Sequence, residues 1–216
     1  EARENNLWHI LPTGYAARDF EVEPDASAAS YFAAAAAITG GTVTLDGLCH
    51  TSIQGDINFC EVLEQMGCVV TWSSDASSNP SVTIEGRPLQ GIDIDMNAIS
   101  DTVMTLAVVA LFAKGPTIIR NVEHIRDKET DRIRDLACEL RRLGAGVQEH
   151  PDGLTIHPAP LQPARIETYD DHRMAMSLSL VGLRSEGVCI TNPACVGKTF
   201  PSYWTVFENI AKHSRN

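Results

Sequence analysis

Three stretches of this sequence follow one pattern, and a chain that repeats a strand–helix–strand unit is confined to a narrow set of folds. They are DFEVEPDASAASYFAAAAAITGGTVTLDGL, GIDIDMNAISDTVMTLAVVALFAKGPTIIRNV and ARIETYDDHRMAMSLSLVGLRSEGVCITNP. Each reads as a short alternating strand, an Asp, a helix of small and apolar residues, a Gly and a β-branched strand. The aspartates are Asp25, Asp101 and Asp171.

The first two copies share a sequel. DINFCEVLEQMGC and KETDRIRDLACELRRLGA have apolar spacing near 3.6 with a Gly stop, and two short strands follow each. In the second, Ile133, Leu136, Ala137, Leu140 and Leu143 form one stripe and Gly144 suits the residue just past the helix. The third copy ends after the helix PSYWTVFENIAKH, with its last strands lacking. The repeating unit is therefore βαβαββ. It predicts an α/β domain with pseudo-threefold packing, in which Ala-dense helices are buried against each other and sheets lie outside. Residues 1–20, with LWHILP, fit no copy and read as a linker or the tail of a preceding domain; residues 21–216 read as the repeat domain. The truncated copy and the start without Met predict a piece of something longer.

The net charge of −11 argues against a nucleic-acid or anionic-membrane binder, because nothing global attracts a polyanion. The longest apolar run, YFAAAAAI, is too short to span a bilayer. The six Cys form no CxxC pair and have no His at zinc spacing, which predicts reduced, mostly buried thiols, a cytoplasmic protein, and no metal or cofactor.

In so acidic a chain an anionic ligand must be met by local cations. Lys128 and Arg132 stand four residues apart where a helix is predicted to start. There like charges repel and the dipole disfavours both, so a bound anion would relieve two costs at once. Neutralisation by Glu129, Asp131 and Asp135 accounts for the pattern equally well. Arg173, in YDDHRMAM, is a second cation at a predicted helix start, beside His172. Lys198 lies in NPACVGKTFPSYW, which has Asn192 where a nucleotide-binding P-loop has Gly, and Pro201 as a predicted first helical residue. Each repeat aspartate could simply cap its helix, and Asp101 could also accept a proton.

DASAASYFAAAAAITGGTV, SIQGDINFCEVLEQMG, DMNAISDTVMTLA, KETDR, DHRMAM and KTFPSYW, in this order and spacing, resemble the 5-enolpyruvylshikimate-3-phosphate (EPSP) synthase family over residues 20 to 210. The UDP-N-acetylglucosamine enolpyruvyl transferases of the same fold lack this pairing of KETDR with DHRMAM. The resemblance implies a transferase of the shikimate pathway. It moves the enolpyruvyl group of phosphoenolpyruvate to the 5-hydroxyl of shikimate 3-phosphate by addition and elimination, with release of phosphate. By position, Asp101 matches the general base, and Glu129 the acid that protonates the enolpyruvyl methylene. Lys128 matches a residue that touches shikimate 3-phosphate and assists the proton transfers. Arg132, Arg173 and Lys198 match the cations that hold phosphoenolpyruvate. His124 stands where many members carry an Asn against the shikimate phosphate, and it keeps a hydrogen-bond donor there. The family fold has two domains of three βαβαββ units with the site between them. The resemblance therefore implies a C-terminal half that needs its complementary N-terminal half as partner.

Overall fold

Asp25 opens the first helix as the repeat predicts. Its carboxylate accepts a hydrogen bond from the Ala28 amide, capping α1 (Ala26–Thr39), and Gly40 ends the helix at φ 70°. Ten of the fourteen α1 residues are buried, on all sides, which places it at the centre of the molecule. This computed structural model describes residues 2, 3, 7–74 and 79–213.

The first repeat continues with β3 (Thr42–Asp46), α2 (Phe59–Gln65), β4 (Val69–Trp72) and β5 (Ser81–Glu85), after a short antiparallel pair β1 (Ala2–Arg3) and β2 (Leu7–Trp8). The second repeat comprises β6 (Asp93–Asp95), α3 (Val103–Ala110), β7 (Thr117–Arg120), α4 (Arg132–Arg142), β8 (Gly146–His150) and β9 (Gly153–His157). The third comprises β10 (Ala164–Ile166), α5 (His172–Ser179), β11 (Val188–Ile190) and α6 (Tyr203–His213). Three sheets result, one per repeat: β3-β5-β4, β6-β7-β9-β8 and β10-β11. Strands β6 and β7 pair parallel, as do β10 and β11, whereas β9 is antiparallel to both its neighbours.

All eight α3 residues are buried, and seven of eight in α5, so the fold is mixed α/β with three helices inside and sheets outside. The three inner helices meet through small hydroxyls. Ser30 of α1 lies 3.3 Å from Thr105 of α3, which lies 3.2 Å from Ser177 of α5. Side chains this small let the axes approach closely, and each buried hydroxyl finds a polar neighbour. The α4 stripe is fully buried, and Gly144 follows it at φ 101°.

Four expectations need correction. DFEVEP forms no strand: residues 9–25 hold no regular element, and Phe20 and Val22 are exposed. A strand needs a ladder to satisfy its backbone, and this segment meets no sheet edge. Only Cys60 and Cys68 are buried, while Cys138 and Cys189 are exposed. Helix α6 begins at Tyr203, so Pro201 lies in the turn before it rather than at the first helical position. Lys128 lies outside α4, which begins at Arg132, so the two cations do not share a helical face. The first residue and last three, at the bounds of the two expected segments, lie outside the described residues.

Candidate active site

The N-terminal ends of α3, α4 and α5 converge, and their polar side chains form one connected network. Arg132 is the first residue of α4, held by Asp131, whose carboxylate accepts from the Arg134 amide at 3.0 Å. A cation is a poor choice in a first turn unless its charge leaves the helix axis. The Arg132 guanidinium does leave it, reaching the buried carboxylate of Asp171 through Nε at 2.8 Å, Asp101 at 3.1 Å and Glu129 at 2.7 Å. It is 1% exposed, so these three acids are the condition for its burial.

Arg173 donates to the other Asp101 oxygen at 2.8 Å, and Lys198 donates to the other Glu129 oxygen at 2.6 Å. The chain of contacts thus runs Lys198–Glu129–Arg132–Asp101–Arg173, with Asp171 beneath it. Of the residues singled out in the sequence, these five are brought together. Lys128 is exposed and makes no hydrogen bond or ion pair among the described residues. The exposed His124 approaches the Ser100 hydroxyl at 2.9 Å, which tethers it beside Asp101 in sequence.

Local folding explains each placement. Asp101 sits in an irregular turn, Asn97–Thr102, where Ile99 leaves helical geometry, so its carboxylate does not cap α3. Asp171 does cap α5, accepting from the Arg173 and Met174 amides, and it is also the partner of Arg132. Before it, Tyr169 and Asp170 both take left-handed backbone, at φ 54° and 58°. That turn is held because the Tyr169 hydroxyl donates to the buried Glu139 at 2.8 Å and Asn192 donates to Asp170 at 2.9 Å. Lys198 ends a short turn, Pro193–Lys198, pinned by the Trp204 indole donating to Pro193. No helix runs on from that lysine, which removes the P-loop reading.

Electrostatics follows from these contacts. Partial burial raises the Glu129 pKa, but the Lys198 hydrogen bond and the charges of Arg132 and Lys198 outweigh it and hold the carboxyl at about 2. Burial lowers the pKa of His172, whose buried Nδ1 lies 3.9 Å from both Glu129 and Asp171 and makes no hydrogen bond. The buried Tyr31 hydroxyl interacts electrostatically with Arg173 yet closes no hydrogen bond, and burial pushes its pKa up. A cavity of about 590 Å³, lined by Thr39, Gly40, Val43 and Leu183, lies at the opposite end of α1.

Sequence reasoning gave Asp171 a cap's role alone, favoured a structural role over a base for His172, and passed over Tyr31. The doubled acid before His-Arg was the available signal for Asp171, whereas nothing local distinguishes Tyr31 from an ordinary core tyrosine. The arrangement suits a small, multiply charged anion: three cations face one place, and two carboxylates lie between them.

The family model for EPSP synthase (3-phosphoshikimate 1-carboxyvinyltransferase) matches residues 1–207. A 3-phosphoshikimate 1-carboxyvinyltransferase of Nostoc sp. is 53% identical over 205 residues, covering 94% of this chain and 47% of that protein. A chloroplastic 3-phosphoshikimate 1-carboxyvinyltransferase of Brassica napus is 52% identical over 201 residues, covering 89% of this chain and 38% of that protein. Among solved structures, an EPSP synthase from Acinetobacter baumannii superimposes with a TM-score of 0.78 at 29% identity, covering 87% of this chain and 46% of that one. The chain spans about half the length of the curated relatives it matches.

Proposed function

Because the chain belongs to the EPSP synthase family, we propose that it carries the acid–base half of an enolpyruvyl transfer site. In this reading the enolpyruvyl group of phosphoenolpyruvate is transferred to the 5-hydroxyl of shikimate 3-phosphate, and the phosphate of phosphoenolpyruvate leaves. The observation that carries the reading is the unbroken ion-pair chain from Lys198 to Arg173.

The phosphate and carboxylate of phosphoenolpyruvate are drawn to Arg132, Arg173 and Lys198. Each of these cations is paired with Asp101 or Glu129 before the ligand arrives. As the ligand's charges take over the cations, Glu129 loses its partners and gains an anionic neighbour, which raises its proton affinity. Glu129 then takes up a proton to deliver to the methylene carbon. Asp101, released by Arg132 and Arg173, accepts the proton of the attacking hydroxyl. Addition gives a tetrahedral adduct; loss of a methyl proton and of phosphate completes the transfer. Lys128, exposed in the loop, and His124, bonded to the Ser100 hydroxyl, are assigned to shikimate 3-phosphate.

The domain division of residues 1–20 from 21–216 belongs to the same reading, and so does the partner. In the complete second repeat the strand order is β6-β7-β9-β8. By that template the first sheet lacks one strand beside β3, and the third lacks two beside β11. The complementary N-terminal half supplies the missing strands and the remaining substrate ligands. A cytoplasmic location is proposed on the bacterial relatives, although two plant relatives are named chloroplastic. Among the described residues no helix is long and apolar enough to cross a membrane.

The test is co-expression of this chain with an N-terminal half and an assay of phosphate release from both substrates. Release that requires both halves and disappears in Asp101→Ala and Glu129→Gln supports the reading. No release in any combination means a binding module without catalysis.

A further inference from the structure

We propose that Arg126 is a positioning residue that closes the Lys128–Glu129 loop into a ring by gripping Asp131 and fastens it to the β8–β9 hairpin. The role rests on the function proposed above, because it concerns how the acid–base residues of that reaction are held.

The loop needs a fastener. A short turn, Glu123–Asp127, ends before it, Lys128 is extended at φ −92° and ψ −151°, and α4 starts only at Arg132. Residues 128–131 therefore belong to no helix or sheet. The Thr130 hydroxyl, bonded to Asp135, is one tether. Arg126 is the other, and it binds at both ends. One terminal nitrogen donates to both Asp131 oxygens at 3.0 Å. The second donates to Glu149 at 3.0 Å and the His150 carbonyl at 2.8 Å, and Nε donates to the Pro151 carbonyl at 2.9 Å. All three guanidinium nitrogens thus donate, to two carboxylates and two backbone carbonyls.

The geometry makes the grip more than a surface ion pair. The Arg126 side chain is only 22% exposed, and its partner Asp131 also caps α4. One side chain thus fixes the loop's width, the start of the helix that presents Arg132, and the distance of both from the β8–β9 turn. Glu129 reaches Lys198 and Arg132 from within that ring. A lysine keeps the charge but has three donors and no planar fork, so it cannot span carboxylate and carbonyls together. A displacement of about 1 Å at a reacting group can cost on the order of 100-fold in rate.

Two measurements decide the matter on Arg126→Lys and Arg126→Ala. On the chain itself, ¹⁵N relaxation should show order parameters of residues 127–130 falling from about 0.85 to below about 0.6, with β7 and β9 unchanged. Unchanged loop order overturns the proposal, and so does loosening spread equally over β7 and β9, which marks a merely structural role. In the chain assembled with an N-terminal half, kcat should drop on the order of 100-fold while the phosphoenolpyruvate KM moves less than about 3-fold. The solvent deuterium isotope effect on kcat should rise, since a misplaced Glu129 makes proton transfer limiting. A lower kcat with an unchanged isotope effect reflects lost active enzyme and overturns the positioning role. If the unsubstituted assembly releases no phosphate, the enolpyruvyl reading fails, and the relaxation data still decide whether Arg126 holds the loop.

Discussion

Arg132 and Lys198 carry the same charge and touch the same Glu129, yet their energetics differ by burial. Removing Arg132 leaves the Asp171 carboxyl fully buried and without its guanidinium. Breaking a buried pair typically costs about 3–5 kcal/mol, which in a domain of this size is on the order of 10 °C in Tm. Lys198 is 58% exposed, and a surface pair contributes about 0–1 kcal/mol. Calorimetric melts of Arg132→Ala and Lys198→Ala should therefore separate, with only the first markedly destabilised; equal melting temperatures would refute the buried-network account. Glu129 supplies a pH prediction. Its folded pKa of about 2 lies below the unfolded value of about 4.3, so its contribution to stability is full above about 4.3. That contribution fades as pH falls toward 2, and Glu129→Gln should flatten this part of the acid unfolding curve. The same depressed value implies proton uptake when an anion displaces Lys198 and Arg132 from the carboxylate, at pH values where the released group is protonated and the paired one is not. Titration with phosphoenolpyruvate at about pH 4 in buffers of differing ionisation enthalpy should show uptake of a fraction of one proton that is absent in Glu129→Gln. The charge pattern singled out the cations, because cations near helix starts in an acidic chain call for a reason, but it left an anion site and a neutralised charge network equally open. Their partners were not legible, since Asp101 and Asp171 lie 31 and 39 residues from Arg132 and only the fold joins them.

At the scale of elements, three similar aspartates ended in three different positions. Asp25 caps α1, Asp171 caps α5 while binding Arg132, and Asp101 caps nothing. Asp25→Ala should cost about 1 kcal/mol, the usual value of a lost cap, with the ion-pair chain intact. Asp101→Asn should leave α3 intact by circular dichroism and abolish phosphate release in the assembled enzyme. Reduced helicity in the Asp101 variant would show that the side chain serves the helix after all. Inner helices and outer strands were readable because their periodicities are local: the Ala-dense run is apolar on every side, and the α4 stripe recurs at helical spacing. Two elements misled. DFEVEP alternates like a strand, but alternation specifies a strand only where a sheet edge accepts it. KETDR looked like the first turn of a helix, yet the Asp131 cap fixes the start at Arg132 and leaves Lys128 in the loop.

For the whole molecule, the repeats act as each other's template. The second sheet closes its own order, while the first and third, among the described residues, stop one and two strands short of it. The edges left over are those of β3 and β11, and the cavities beside them, of about 590 and 350 Å³, are lined by Val43, Leu183, Val188 and Ile190. Apolar residues at an unfilled edge are the setting in which an added strand gains both ladder hydrogen bonds and burial. The site lies at the other end of the inner helices, so assembly and chemistry can be read separately. Adding an N-terminal half should slow amide exchange in β3 and β11 by about 10-fold or more, because exchange there reports local opening of an unpaired edge. Strands β7 and β9, paired on both sides within their own sheet, should change much less. Protection confined to the residues around Arg132 and Arg173 would mean that the halves meet only across the site, and strand completion would be excluded. Protection at β3 and β11 that survives in Asp101→Ala, with phosphate release gone, would establish that the fold assembles through its sheet edges and reacts through its ion-pair chain.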